Sequence, residues 1–125
     1  MSVYLDTHVV LWLYAGETER ISKRAAILLN AEQISISPVV LLELQYLQEI
    51  GRLAAVPRTI AGDLKKRLGV AVDDRSMQEV TERALEVSWT RDVFDRLIVA
   101  QASLDGARLL TTDRLIRKHY PKAVW

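Results

Sequence analysis

The chain has 125 residues, half of them hydrophobic and 26% charged, with a formal net charge of +1, a balance that excludes a disordered chain and suits one domain over residues 1–125 burying close to two thirds of its unfolded surface. It contains no cysteine, which excludes disulfides, thiolate zinc sites, iron–sulfur clusters and cysteine nucleophiles. The longest apolar run, Val9 to Ala15, is far too short to span a bilayer, and Met1 leads into a strand without a basic, cleavable leader, so a cytoplasmic protein with no membrane partner is expected.

In chain order, Val3 to Leu5 reads as a short buried strand ending at Asp6, and Thr7 to Tyr14 as an apolar helix closed near Gly16. Ser22 is the expected N-cap of a helix whose apolar positions Ile21, Ala25, Leu28 and Leu29 recur at helical spacing. Ile34 to Ile36 is a strand. Ser37-Pro38 then supplies an N-cap followed by proline at the first helical position, and Gly51 the matching stop, so a helix spans Pro38 to Ile50 and carries Glu43. Pro57 opens a further helix with Ile60, Leu64 and Leu68 on one face, ended by Gly69. Val70 to Val72 is a third strand, and Met77, Val80, Ala84 and Val87 mark a moderately amphipathic helix. A nearly all-apolar helix runs from Asp95 to Asp105 and stops at Gly106, with Asp92 three residues before it. Arg108 to Thr111 is a fourth strand, Asp113 to His119 a short helix, and Ala123 to Trp125 a fifth strand at the edge.

Such alternation predicts an α/β fold, a central parallel sheet of four to five short strands flanked by helices on both faces with right-handed crossovers. Ligands bind outside the carboxyl ends of the strands in such sheets. Asp6 and Asp113 lie at those ends, and Asp95 starts a helix that can reach the same edge.

Each acid has a structural explanation to set beside a functional one. Asp6, Asp92 and Asp113 suit helix N-caps, worth about 1 kcal/mol each, and Asp92-Val93-Phe94-Asp95 is spaced like a capping box. Glu43 has only Val39 and Leu47 at i±4, so no ion-pair partner on its own helix. Carboxylates sharing one pocket repel by about 4 kcal/mol per pair at roughly 4 Å and an effective dielectric of about 20. Protons or a cation must relieve that, and oxygen ligands alone select Mg²⁺ or Mn²⁺ bound with several waters. The last twenty residues carry five basic side chains against Asp113 alone, while the first 105 carry 12 basic and 15 acidic residues, so the C-terminal end either faces phosphates or is a solvated helix whose cations favour its own C-terminus.

Leu5-Asp6-Thr7-His8, Ser37-Pro38 through Leu42-Glu43-Leu44, Arg91 through Ala102 and Leu110-Thr111-Thr112-Asp113 follow the order and spacing of a PIN domain. The chain resembles VapC-type toxins of toxin–antitoxin pairs over essentially its whole length. That resemblance implies a metal-dependent endoribonuclease hydrolysing RNA phosphodiesters to 5′-phosphate and 3′-hydroxyl ends. It implies acidic positions at Asp6, Glu43, Asp95 and Asp113 with Asp92 as an additional acid, Asp6 and Asp95 being the main ligands of Mg²⁺ or Mn²⁺ and the others ligands or water-orienting groups. Thr112 matches the small polar residue beside the last acid, and Val93 departs from the proline often found between the two aspartates. Arg91, Arg96 and Arg114 either hold RNA phosphates or pair with the acids beside them. The implied partners are a small VapB-type antitoxin, lying in a groove for which the apolar helices 7–14 and 38–50 are candidates, and a second copy of the chain in a homodimer.

The alternative function is a non-catalytic PIN-like module that binds RNA or protein, although a phosphate-binding module would gain by losing this negative charge. A phospho-acceptor receiver domain would need adjacent acids after its first strand and a lysine after its last, and neither is present. His8 is read as a packed or edge residue, and Trp12, Trp89, Tyr46 and Phe94 as core or interface. Gly16, Gly51, Gly69 and Gly106 are read as helix stops, with no phosphate-binding loop.

Overall fold

Val3, Tyr4 and Leu5 are each no more than 1% exposed, and since successive strand residues point to opposite faces, the sheet around them is covered on both sides. This computed structural model describes residues 2–125. Strands β1 (Ser2–Leu5), β2 (Gln33–Ile36), β3 (Ala71–Val72), β4 (Arg108–Leu110) and β5 (Ala123–Val124) form one sheet in the order β3-β2-β1-β4-β5, every neighbouring pair parallel. Around it lie helices α1 (Thr7–Ala15), α2 (Lys23–Ala31), α3 (Pro38–Glu49), α4 (Pro57–Leu68), α5 (Met77–Ala84), α6 (Val93–Leu104) and α7 (Arg114–His119), with a 3₁₀ turn at Thr18–Arg20 that periodicity did not predict.

The strand order sets the position of the site. From β1 the chain moves to β2 and β3 on one side, then returns to place β4 and β5 on the other. β1 and β4 therefore flank the point where the winding reverses, and their carboxyl ends open a crevice. The register aligns Leu5 with Leu110, and the Asp6 amide donates to the Leu110 carbonyl at 3.0 Å. Asp6 and Thr111 thus leave the sheet side by side.

Helix ends follow local chemistry. Ser37 accepts the Val39 amide at 3.2 Å and starts α3 at Pro38. Gly69, at φ +69°, closes α4 in a left-handed conformation in which its amide reaches the Leu64 and Lys65 carbonyls. Two expected boundaries move by more than one residue. Asp92 caps α6, as its spacing suggested, its carboxylate accepting the Asp95 amide at 3.0 Å, but the helix begins at Val93 rather than at Asp95, which sits within its first turn. α5 stops at Ala84 rather than at Val87, where the Arg96 guanidinium donates to the carbonyls of Ala84 (3.0 and 3.2 Å) and Leu85 (3.4 Å).

Buried polar contacts then hold α6 in place. Gln101, 2% exposed, donates to Asp73 Oδ2 at 2.8 Å just beyond β3. The Tyr4 hydroxyl of β1 reaches Asp73 at 2.8 Å and Asp105 at 2.6 Å. Burial works against ionising Asp73, but the bonds from Gln101 and Tyr4 outweigh it and hold its carboxyl below the ordinary aspartate range. Strand β1, the loop after β3 and the C-terminal part of α6 are thereby joined, and the first turn of the same helix brings Asp95 to the crevice.

Candidate active site

Asp6 is 7% exposed, and both its oxygens are engaged: the Thr7 amide donates to Oδ1 at 2.8 Å and the Thr111 hydroxyl to Oδ2 at 2.6 Å. The Thr7 hydroxyl reaches across to α3 and donates to Glu43 Oε1. Thr111, fully buried, also accepts the Asp113 amide at 3.0 Å. Asp113 in turn caps α7, one carboxylate oxygen accepting the amides of Leu115 (2.9 Å) and Ile116 (3.0 Å). The Asp92 amide donates to Thr90 Oγ1 at 3.2 Å, fixing the approach to α6. Capping therefore accounts for part of what Asp6, Asp92 and Asp113 do, and each keeps carboxylate lone pairs beyond those bonds.

Asp6, Glu43, Asp92, Asp95 and Asp113 all line one cavity of about 340 Å³, together with His8, Trp12 and Thr112. Among the described residues no lysine or arginine lines it. Burial raises the Asp95 carboxyl first, and the charges of Asp6, Asp92, Asp113 and Glu43 raise it further, so that it is pushed up to about 8. Burial likewise raises Asp6 against the opposing bonds from Thr111 and Thr7. Glu43 is raised by burial and by the Asp6 charge, with the Thr7 hydroxyl opposing. The cavity is therefore short of positive charge.

The donor set fits a hard divalent cation: carboxylate oxygens, no thiolate, and one group driven to hold a proton where no cation relieves it. Among the described residues no three such side chains are drawn together as a ready-made cage. Mg²⁺ keeps several of its waters and binds through one or two carboxylates, so a cage is not required.

Residues 3–120 match the PIN domain. The chain belongs to the PIN domain family. It is 31% identical to ribonuclease VapC22 of Mycobacterium tuberculosis, across 99% of this chain and 98% of that protein. Among solved structures the PIN fold is similar to VapBC2 from Rickettsia felis bound to a promoter DNA fragment (TM-score 0.68, 20% identity, 94% of this chain and 92% of that one). It is also similar to a toxin–antitoxin complex from Klebsiella pneumoniae (TM-score 0.67, 20% identity, 98% and 96%) and to DNA-bound VapBC from Salmonella typhimurium (TM-score 0.62, 19% identity, 98% and 94%).

In this PIN domain the five acids line one cavity, but the arginines divide. Arg96 is turned away from the cavity and closes the end of α5. Arg91 donates to the Ser88 carbonyl at 2.8 Å and is exposed, as is Arg114. None of the three forms an ion pair among the described residues, so the expectation that they pair with the acids is not met.

Two functional hydroxyls escaped the sequence reading. Thr112, the expected polar neighbour, lines the cavity but is exposed, whereas Thr111 makes the bonds to Asp6 and Asp113. Only the pairing of Leu5 with Leu110 reveals this, because it brings Thr111 level with Asp6. Thr7 was visible beside Asp6, but its reach to Glu43 depends on where α3 lies.

Replacing Thr111 with valine keeps the shape and removes both bonds. Losing the donor to Asp6 raises that carboxyl further, so cleavage at neutral pH should fall about 10- to 100-fold and the metal concentration for half-activity should rise. A pH–rate profile of Thr111→Val should shift towards alkaline pH. A profile superimposable on that of the native chain would remove Thr111 from the site.

Proposed function

We propose that this PIN domain is the endoribonuclease toxin of a VapBC-type toxin–antitoxin pair, hydrolysing RNA phosphodiesters with Mg²⁺ or Mn²⁺. The observation that carries the reading is the convergence of five carboxylates on one cavity without a lysine or arginine in its lining among the described residues. The similarity to ribonuclease VapC22 over nearly the whole of both chains supports the ribonuclease activity, and the fold shared with VapBC complexes supports a VapB-type partner.

Asp6, Asp92, Asp95 and Asp113 would hold the cation. When bound, it relieves charge on the phosphate and lowers the pKa of a coordinated water. The residues supply position and proton transfer. Glu43, steadied by Thr7 and with its carboxyl raised by burial, accepts a proton from the attacking water. Asp6 is held by Thr7 and Thr111 in one orientation, and Asp113 is steadied by the start of α7. Attack in line with the 3′-oxygen breaks its bond to phosphorus, and that oxygen takes a proton from solvent, leaving a 5′-phosphate and a 3′-hydroxyl. Arg91 and Arg114, with Arg117 and Lys118 on α7, are exposed cations for RNA phosphates outside the cavity.

Of the two apolar helices considered for the antitoxin groove, α3 supports that role better. Leu42, Tyr46 and Ile50 stand 61%, 50% and 46% exposed at spacings of four residues, forming a stripe along and just past α3. Val9 and Val10 of α1 are buried, and Leu11, Trp12, Leu13 and Tyr14 pack on the core. The α3 stripe suits a VapB-type antitoxin segment or a second copy of the chain.

Incubation of purified protein with total RNA in Mn²⁺ or Mg²⁺ should give discrete cuts that addition of its antitoxin suppresses, with the complex measured by light scattering. Intact RNA in antitoxin-free, metal-loaded samples, with no mass change on adding the antitoxin, would overturn the reading.

A further inference from the structure

The acidic cavity poses a binding problem that the metal alone does not solve. Five carboxylates repel an RNA backbone, so uncharged surface inside the cavity adds binding that the cations outside it do not supply there. Trp12 provides it. Among the described residues it is the one large apolar side chain lining the cavity, and it also packs against the core. Its indole is held edge-on to Trp125, with ring centroids 5.6 Å apart at 61°. The Arg20 guanidinium lies over the Trp12 ring, 5.4 Å from the centroid, and is anchored by Glu17 at 3.1 Å. The Trp12 carbonyl accepts the Glu17 amide at 2.9 Å, tying the end of α1 to the turn that carries Arg20. Arg20 covers one face of the ring and His8, which also lines the cavity, stands 6.4 Å from it at 47°, leaving the face opposite Arg20 for a base, and a ring so held loses little freedom on binding.

We propose that Trp12 is the stacking platform for an unpaired nucleobase of the strand entering the acidic cavity, and that Arg20 takes the phosphate of the stacked nucleotide. Every base offers a π-face, so this contact recognises single-stranded character rather than sequence. Arg20 is about half exposed and sits beside a cavity lined, among the described residues, by no lysine or arginine, so it supplies charge next to the acids without neutralising them. The assignment rests on the ribonuclease reading above and adds the residues that hold the entering strand.

The test compares two labelled probes, a single-stranded oligoadenylate and an abasic phosphoribose chain of equal length. Binding is followed by fluorescence anisotropy in the cleavage-deficient Asp95→Asn background. With Trp12 in place, oligoadenylate should bind roughly 5- to 100-fold more tightly than the abasic chain. Trp12→Ala should erase that difference, Trp12→Phe should retain most of it, and Arg20→Ala should weaken both probes alike. The comparison of probes on the Trp12-containing protein needs no core substitution, so misfolding of Trp12→Ala does not decide the matter. Equal binding of the two probes, or equal losses on both with Trp12→Ala, overturns the proposal. Metal-dependent cleavage of total RNA by the native chain is scored separately. Cleavage without a probe difference removes Trp12 and leaves the nuclease, whereas a probe difference without cleavage supports stacking and removes the nuclease.

Discussion

Asp95→Asn should raise the melting temperature of the metal-free protein near pH 8 while lowering RNA cleavage by about 10³-fold or more. The two effects have one cause. Asp95 is pushed up to about 8 by burial and by four neighbouring carboxylates, whereas an unperturbed aspartate titrates at 3.8. Between those values the folded chain holds a proton that the unfolded chain has released. Stability from this group is therefore fully present below the unfolded value and is lost as pH rises through the folded one. Asparagine keeps the shape and never ionises, so the metal-free variant should show a shallower fall in melting temperature from about pH 5 to about pH 9. The α6 cap survives because Asp95 contributes its backbone amide to Asp92, not its carboxylate. On the proposed metal role, activity falls because the substitution takes one negative charge from the acid cavity. Thermal melts in EDTA across that range, paired with cleavage assays, check both halves. A variant that melts lower than the native chain at every pH has lost a structural contact, and one that still cuts RNA at the native rate shows that Asp95 is no ligand.

Removal of divalent metal should abolish cleavage, and adding it back should stabilise the chain more at about pH 8 than at about pH 6. At the lower pH a cation must displace the proton on Asp95, whose carboxyl is pushed up to about 8. Each proton displaced on binding makes affinity rise up to about tenfold per pH unit until the group is ionised on its own. Above that range the dependence flattens. Calorimetric titration with Mg²⁺ or Mn²⁺ in two buffers of different ionisation enthalpy counts the protons released. Melting curves with sodium chloride at matched ionic strength separate binding from screening, which acts without proton release. Release near zero at about pH 6, or equal stabilisation by the monovalent salt, would place the cation outside the acid cluster.

Much of this protein was legible before its fold was known. Ser37-Pro38 marks the start of α3, Gly69 and Gly106 mark the ends of α4 and α6, and the alternation of short apolar runs with longer periodic segments specifies parallel strands and covering helices. The acids were legible because carboxylates at strand ends and after the apolar start of a helix have few structural duties that account for all of them. What misled was local reading where distant groups decide. Arg96 stands next to Asp95 in sequence and so suggested a phosphate or an acid as partner, yet the carbonyls left open at the end of α5 claim it. Trp12 sits at an apolar helical position and reads as core, although it also lines the acid cavity.

The sequence by itself determined the element types, the parallel architecture and the set of acids, because helical period, caps and strand alternation act over a few residues. The tertiary structure decided which groups meet. The reversal of winding at β1 and β4 opens the crevice, the Leu5–Leu110 register brings Thr111 rather than Thr112 to Asp6, and the packing of α3 brings Glu43 within reach of Thr7. Electrostatic consequences arise at that second stage as well, since an isolated Asp95 would titrate as an ordinary aspartate, and burial among four other carboxylates makes it hold a proton.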